Sequence, residues 1–128
     1  MDDRSQEAPR LTDRQRLHWL RLIRTDNVGP AAFRDLINRF GSAEAAIAML
    51  PELTSNGGAT RPVRVPDIAE AEDEMERAER FGARFVAIGE AAYPPMLRNM
   101  ALPPPLVAVK GQTSILHMTA IGIVGARN

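Results

Sequence analysis

The chain has 128 residues, of which 45% are apolar and 25% are charged, and its formal net charge at pH 7 is zero. These values are typical of folded globular proteins and exclude a fully disordered chain. Because there is no cysteine, disulfides and thiolate metal sites are excluded as well. The first ten residues are polar, and no apolar run reaches the ~18 residues of a membrane span, so we expect a soluble, cytoplasmic protein.

The neutral total hides a segregation of charge along the chain. Residues 10–64 hold nine arginines and five acids, whereas residues 66–90 hold three arginines and eight acids. The remaining segment, 91–128, holds two arginines and one lysine with no acid. Basic stretches therefore flank an acidic one, and overall neutrality does not exclude a nucleic-acid partner.

The first half of the chain predicts a disordered tail over residues 1–10 and a compact all-α module over residues 11–53. Three short helices are expected, and their boundary signals are a Thr12–Gln15 capping box, Gly29–Pro30, Gly41, Ser42 and Pro51. Pro51 is expected to stop the third helix. The first helix carries Arg14, His18 and Arg21 along one face, which could touch phosphate, but a solvent-exposed face is the favoured interpretation.

The turn between the first two helices, Asn27-Val28-Gly29 followed by Pro30, resembles a helix-hairpin-helix motif. In that motif a Gly-hydrophobic-Gly turn and the next helix's N-terminus direct backbone N–H groups at a DNA phosphate. Asn27 stands in place of the first glycine, and asparagine tolerates the left-handed backbone conformation. Asn27, Val28 and Gly29 are therefore either a secondary DNA contact or a turn that simply packs two helices.

The second half predicts a change to an α/β pattern. Residues 54–65 have the Gly-Gly and Pro composition of a linker, and Asp67 and Gly82 then bracket a long amphipathic helix with outward acids. Strand patterns follow in "ARFVAI", "PPPLVAVKG" and "TAIGIVG", with a short helix at "YPPMLRNM" and a helical turn at "QTSILHM". Strands that alternate with helices favour a parallel sheet, of which residues 66–128 contain only the first part.

The last strand pattern delivers Gly125, Ala126 and Arg127 to its carboxyl end, where ligands bind in open α/β sheets. A glycine there allows close approach of a phosphate, and an arginine can grip its oxygens with two hydrogen bonds. The alternative interpretation, in which Gly125 only permits a tight turn and Arg127 is an ordinary surface residue, stays open. Neither the dinucleotide fingerprint nor a P-loop is present, and the two histidines lack metal-ligand spacing. The sequence indicates no catalytic residue, no metal ligand and no cofactor.

Residues 85–128 resemble, across their whole length, the start of the Rossmann-like domain of the DNA-processing protein A family (DprA, also called Smf). The elements that carry the resemblance, in order, are Tyr93-Pro94-x-x-Leu97, a Pro-Pro-Pro entry to a strand ending in Lys110-Gly111, and Ile123-Val124-Gly125-Ala126-Arg127. The helical module is similar to the sterile-alpha-motif-like domain that precedes that domain in many members. The expected fold class is thus α+β, with an all-α module ahead of an incomplete Rossmann-like domain.

The resemblance implies a cytoplasmic protein that binds incoming single-stranded DNA in natural transformation, protects it and helps load the recombinase RecA. It implies no catalytic activity, a homodimer in the full-length protein, and DNA-phosphate contacts by Gly125, Ala126 and Arg127. Because the family's domain is longer than residues 66–128, we expect the chain to be a fragment. The alternatives are a nucleotide- or sugar-phosphate-binding enzyme similar to phosphoribohydrolases and, for the helical module, a protein-interaction role.

Overall fold

The computed structural model describes residues 10–56 and 63–111 of the chain. The elements are α1 (Asp13–Ile23), α2 (Pro30–Phe40), α3 (Ala43–Asn56), α4 (Ile68–Arg80), β1 (Ala83–Ala87), α5 (Pro95–Arg98) and β2 (Leu106–Lys110). The predicted α+β class is confirmed. The third predicted strand and the helical turn at 112–118 lie outside the described residues, so a Rossmann-like continuation stays a prediction.

Local capping signals set most of the helix ends. The Thr12 hydroxyl accepts from the Gln15 amide while the Gln15 side chain accepts from the Thr12 amide, which is the predicted capping box of α1. Asp67 and Glu70 repeat that arrangement at α4. Gly41 ends α2 in the left-handed region at φ 86°, a conformation that glycine adopts without a Cβ penalty.

The prediction that Pro51 stops the third helix is wrong, because α3 continues to Asn56. Proline lacks an amide proton, but its fixed φ is a helical value, and its carbonyl still accepts in the ladder. The turn before it is held by burial, since Ala46 and Leu50 are 0% and 7% exposed. Packing of this turn against the core therefore outweighs the helix-breaking propensity of the proline.

The helical core lies where α1, α2 and α3 meet. Its fully buried members are Leu22, Phe33, Ala43, Ala46 and Leu50, and Trp19 contacts the Phe33 ring edge-on with centroids 4.9 Å apart. The apolar stripe predicted for α2 supplies Phe33 together with partly buried Leu36, Ile37 and Phe40. This core fixes the angle between α1 and α2 and so fixes the turn that joins them.

The two strands pair antiparallel, with Ala83 opposite Lys110 and Ala87 opposite Leu106. The predicted parallel arrangement is therefore wrong for β1 and β2. A parallel return needs a crossover long enough to run back along the strand, whereas α5 has only four residues. The chain instead turns at Gly89 and comes back through the proline run, where the Ile88 amide donates to the Pro105 carbonyl at 2.9 Å.

Helix α4 lies against both α1 and β1, so it joins the helical core to the strand pair. Tyr93 is 0% exposed in the loop after β1, and its hydroxyl donates to the Pro104 carbonyl at 2.6 Å. That bond ties the two halves of the β1–β2 connection together. The Tyr-Pro element of the sequence thus has a structural role in this part of the chain.

Candidate nucleic-acid interface

The turn between α1 and α2 has the backbone geometry that the sequence predicts. Asn27 has φ 65°, and it is the one non-glycine residue with positive φ in the described part of the chain. Its side chain is exposed, whereas Val28 packs partly against the helical core. The Val28 amide donates back to the Thr25 carbonyl at 3.2 Å. The turn therefore buries its apolar residue and presents the backbone on either side of it to solvent.

Contacts with residue 64 hold this turn in place. The Asp26 amide donates to the Arg64 carbonyl, and the Arg64 amide donates to Asp26 Oδ2, both at 3.2 Å. On the α1 side, the hydroxyl of buried Thr25 donates to the Arg21 carbonyl at 2.8 Å. A turn anchored at both ends is pre-organised, so a ligand that binds there meets little cost of ordering.

The N-terminus of α2 differs from those of α1, α3 and α4. Those three helices each have a side-chain cap, from Thr12, Ser42 and Asp67 respectively. Helix α2 begins after Gly29, which has no side chain to accept a hydrogen bond. None of the described residues accepts from the amides of Ala31 and Ala32. These two N–H groups and the positive end of the helix dipole are therefore available to an acceptor from outside.

Neither backbone strain nor crowding explains the glycine at position 29. Its φ of −95° is one that every residue adopts, and an added Cβ would meet nothing within 4 Å. A serine or aspartate there would cap α2 through its side chain and stabilise it by about 0.3 kcal/mol. Glycine is itself a common N-cap residue, and the open space around Gly29 also leaves the backbone accessible to a ligand.

The structure sorts the arginines of the helical module into two groups. Arg14, Arg16 and Arg24 pair with Glu44, Glu90 and Glu74, with N–O distances of 2.6, 2.7 and 2.8 Å. The two arginines of α2 face no carboxylate in the described residues: Arg39 lies over the Phe40 ring, and Arg34 has no partner. Arg21 likewise faces no carboxylate in these residues, but it is half-buried and donates to the Pro66 carbonyl. The exposed, uncompensated positive charge of this module therefore lies on α2, with Arg34 one helical turn from Pro30.

The predicted solvent-exposed face of α1 is wrong in part. Arg14 is exposed, but His18 is 5% exposed and Arg21 donates through Nε to the Pro66 carbonyl at 2.8 Å. Burial lowers the pKa of His18, and Nδ1 lies 3.1 Å from Arg21 Nη1, so a neutral imidazole accepts there. The face is packed because α1 lies against both α3 and α4, and the Glu44 carboxylate of α3 is 3.9 Å from His18 Nε2. Burial of His18 therefore argues against a phosphate contact by this residue.

Sequence reasoning missed two features of the described part of the chain, the unpaired Arg34 and the Arg16–Glu90 ion pair. Arg34 looks like any arginine of a polar helix face until the partners of the other arginines are known. Arg16 and Glu90, 74 positions apart, form a two-pronged ion pair whose side chains are 12% and 8% exposed. Only the placement of Glu90 directly after a buried strand and a glycine could have pointed to it.

The phosphate loop predicted at Gly125, Ala126 and Arg127 lies outside the described residues. Of the two predicted DNA-contact regions, the structure therefore describes only the turn at Asn27, Val28 and Gly29. Within residues 10–56 and 63–111, no group of three or more histidines and carboxylates is arranged to hold a metal ion. None of the helices in those ranges has the length and apolar character that crossing a bilayer requires.

Comparison with known families agrees with this geometry. A family model described as the DprA-like N-terminal HHH domain matches residues 13–77, and one described as DNA recombination-mediator protein A matches residues 84–128. No curated protein matches the chain. The α1–α2 turn and the first match define a helix-hairpin-helix protein, in which α4 and an antiparallel strand pair follow the helical core. The chain belongs to the DNA-processing protein A family, whose members act in DNA processing and recombination.

The first match includes most of α4, whereas the predicted domain boundary falls at residues 65 and 66. The contacts of α4 with both α1 and β1 are compatible with either division. The predicted domain limits, with a linker over 54–65, stay a prediction.

Proposed function

We propose that the chain binds single-stranded DNA during DNA uptake and natural transformation, shields it from nucleases and assists the loading of RecA. The observation that carries the DNA contact is the uncapped N-terminus of α2, beside a left-handed Asn27 and an unpaired Arg34. Backbone amides, a helix dipole and a guanidinium together suit a phosphate group. Family membership supports DNA over a phosphoribohydrolase-like substrate.

The second contact of the proposal is the loop of Gly125, Ala126 and Arg127 at the end of the predicted third strand. The two contacts together would follow the backbone of one strand, as sequence-tolerant single-strand binders do. We further propose that the protein acts in the cytoplasm without catalysis and as a homodimer at full length. These points rest on the family resemblance, and sedimentation equilibrium and RecA filament assembly on coated DNA test the dimer and the loading role.

The sharpest test of the turn is Gly29→Asp. Aspartate should cap α2 by accepting from the amides of Ala31 or Ala32, and it should raise the stability of the fold by about 0.3 kcal/mol, since glycine is already a tolerated N-cap residue. The same carboxylate occupies the proposed phosphate position and repels the strand, so binding to labelled oligo-dT, followed by fluorescence anisotropy, should weaken. A variant that becomes more stable and binds less cannot be explained by misfolding.

Asn99→Asp is the matched control, because it adds one negative charge at an exposed position away from the turn. It should leave affinity almost unchanged. Full affinity in Gly29→Asp, with the expected gain in stability, would exclude the turn as a DNA contact while leaving the loop of Arg127 untested by this variant.

Two arginine substitutions complete the test. Arg34→Ala should weaken oligo-dT binding and reduce the salt dependence of the affinity by about 0.7 in log–log slope, since one phosphate contact is lost. Arg14→Ala removes the same charge from an arginine already paired with Glu44 and should have little effect. Arg127→Ala should behave like Arg34→Ala. If neither Arg34→Ala nor Arg127→Ala changes the affinity or the slope, DNA binding by these elements is refuted.

A further inference from the structure

An apolar groove runs between α2 and the proline-rich entry to β2, and we refer to it as the α2 groove. Its volume is about 270 Å³. Its apolar lining includes Trp19, Phe33, Ile37, Ile88, Leu102 and Pro105. Both walls are rigid, because one is the helical core and the other is a proline run fixed by the Tyr93 hydroxyl. The groove is smaller than the ~300–1,000 Å³ of sites for drug-sized ligands, which suits a single ring system.

The polar groups that line the α2 groove have no partner in the described part of the protein. They are the Arg34 guanidinium, the Asn38 carboxamide and the Trp19 indole N–H. Arg34 is the one charged residue among the described lining residues, so the groove has positive but no negative charge. An apolar cleft with a few free hydrogen-bonding groups is the common form of a small-molecule site.

The α2 groove is continuous with the turn at the start of α2. Pro30, the first residue of α2, lines the groove, and Arg34 lies one turn further along the same helix. A phosphate on the free amides of Ala31 and Ala32 would therefore sit at the end of the groove. The base of that nucleotide, or of the next one, is the part of a DNA strand that could reach inside.

We propose that the α2 groove binds one unpaired nucleobase of the strand whose phosphate occupies the α1–α2 turn. This inference rests on the proposed DNA contact and adds a subsite to it. A nucleobase has two flat faces that pack against aromatic and aliphatic walls, and polar edges that can pair with a guanidinium or a carboxamide. The positive charge of Arg34 favours a nucleotide over an uncharged apolar peptide, because the phosphates on either side of the base complement it.

The consequence is a preference for single-stranded DNA at this end of the protein. Phosphates are present on single strands and duplexes alike, so the turn alone does not distinguish them. A base enters the groove only when it is unpaired, because a duplex keeps its bases within the stack. The groove thus gives the helical module a way to sense that a strand is single, without reading its sequence.

Trp19 is the only tryptophan of the chain, so its fluorescence reports on the α2 groove alone. Oligo-dT should quench Trp19, whereas an oligonucleotide of equal length made of abasic sites should bind through its phosphates and leave the emission unchanged. Abasic DNA should bind roughly five- to 150-fold more weakly than oligo-dT, which is the contribution of about 1–3 kcal/mol from one stacked base. A blunt duplex should, like the abasic strand, bind more weakly than oligo-dT and leave the Trp19 emission unchanged.

Asn38→Phe should fill the groove from its exposed rim and lower the affinity for oligo-dT by a similar factor, with no effect on abasic DNA. The control Asp35→Phe places the same ring at an exposed position that does not line the groove. It also removes a negative charge, so any change should be towards tighter binding. Equal losses in both variants would contradict the inference.

The outcomes separate the subsite from the DNA contact on which it rests. Binding of oligo-dT and abasic DNA with equal affinity, and without quenching, would overturn the base subsite and leave the phosphate contact standing. No binding of either strand by anisotropy would overturn the proposed function. If acrylamide fails to quench Trp19 in the free chain, the groove is covered by another part of the protein, which also overturns the subsite.

Discussion

Glu90→Gln should strongly destabilise the described part of the protein. The Glu90 carboxylate is buried and accepts four hydrogen bonds. On Oε1 the donors are Arg16 Nη1 and the Ala87 amide, both at 2.7 Å; on Oε2 they are Arg16 Nη2 at 2.9 Å and the Leu11 amide at 3.2 Å. These bonds tie the start of α1 to the end of β1.

The cost of this change follows from which oxygen becomes an amide. Each Glu90 oxygen accepts from one Arg16 nitrogen and one backbone amide, so the NH₂ group of glutamine would face two donors in either orientation. One charge-assisted and one neutral hydrogen bond are therefore lost. The Arg16 side chain, 12% exposed, then keeps a charge with no carboxylate beside it. Breaking one partner of a buried pair costs about 3–5 kcal/mol, and we expect about 3 kcal/mol here because glutamine retains half of the contacts. That is a large part of the ~5–15 kcal/mol of a typical domain.

Urea and thermal unfolding followed by far-UV circular dichroism measure this loss. Tm should fall by roughly 10 °C. The matched control is Asp73→Asn, which breaks the exposed Asp73–Arg77 pair, with side chains 60% and 65% exposed, and should change stability by a small fraction of that amount. The double variant Arg16→Met with Glu90→Gln should lose less than the sum of the single losses. Equal, small effects of Glu90→Gln and Asp73→Asn would refute the buried network.

Two further predictions concern stability. Burial lowers the pKa of His18 in the folded state, so the unfolded chain takes up a proton first as the pH falls below about 6.5. The free energy of unfolding should therefore decrease with acidification through this range. His18→Gln should flatten the dependence of the urea midpoint on pH, measured from about pH 7 to pH 5. Gly41→Ala should lower the free energy of unfolding by about 1 kcal/mol, because φ at this position is 86°. Gly29→Ala should lower it by less in the same assay, because φ is −95° and an added Cβ meets open space. Equal losses of stability in the two variants would contradict this account.

The sequence was informative wherever the determining interaction is local. Thr12 and Asp67 cap their helices through residues three positions away, and the left-handed Asn27 follows from its own side chain and the turn around it. Pro51 shows the limit of local propensity, since burial of the preceding turn kept the helix intact. The direction of β2 was not predictable from its apolar pattern, because that pattern is the same for both directions of pairing.

The candidate site also combines features that local sequence predicts with features that depend on distant contacts. The position of the turn was predictable from Asn27 and Gly29, but the availability of its amides and of Arg34 depends on what other parts of the chain do or do not contact. The Arg16–Glu90 pair was beyond sequence reasoning, because it joins segments 74 positions apart. A count of charges gives no information on such pairing.

Charge counting overstated the basic surface of the helical module for a physical reason. The arginines before residue 65 and the acids after residue 66 compensate each other in the fold, as in the pairs of Arg24 with Glu74 and of Arg64 with Glu70. Arginines that are paired with carboxylates on adjacent elements produce little long-range electric field. They therefore neither attract DNA nor displace counterions from its phosphates. The salt dependence of DNA binding by this module should therefore reflect α2 and not its arginine content. The slope should therefore fall on Arg34→Ala and stay constant on Arg14→Ala. Equal decreases in both variants would mean that the Arg14–Glu44 pair with α3 opens when DNA binds.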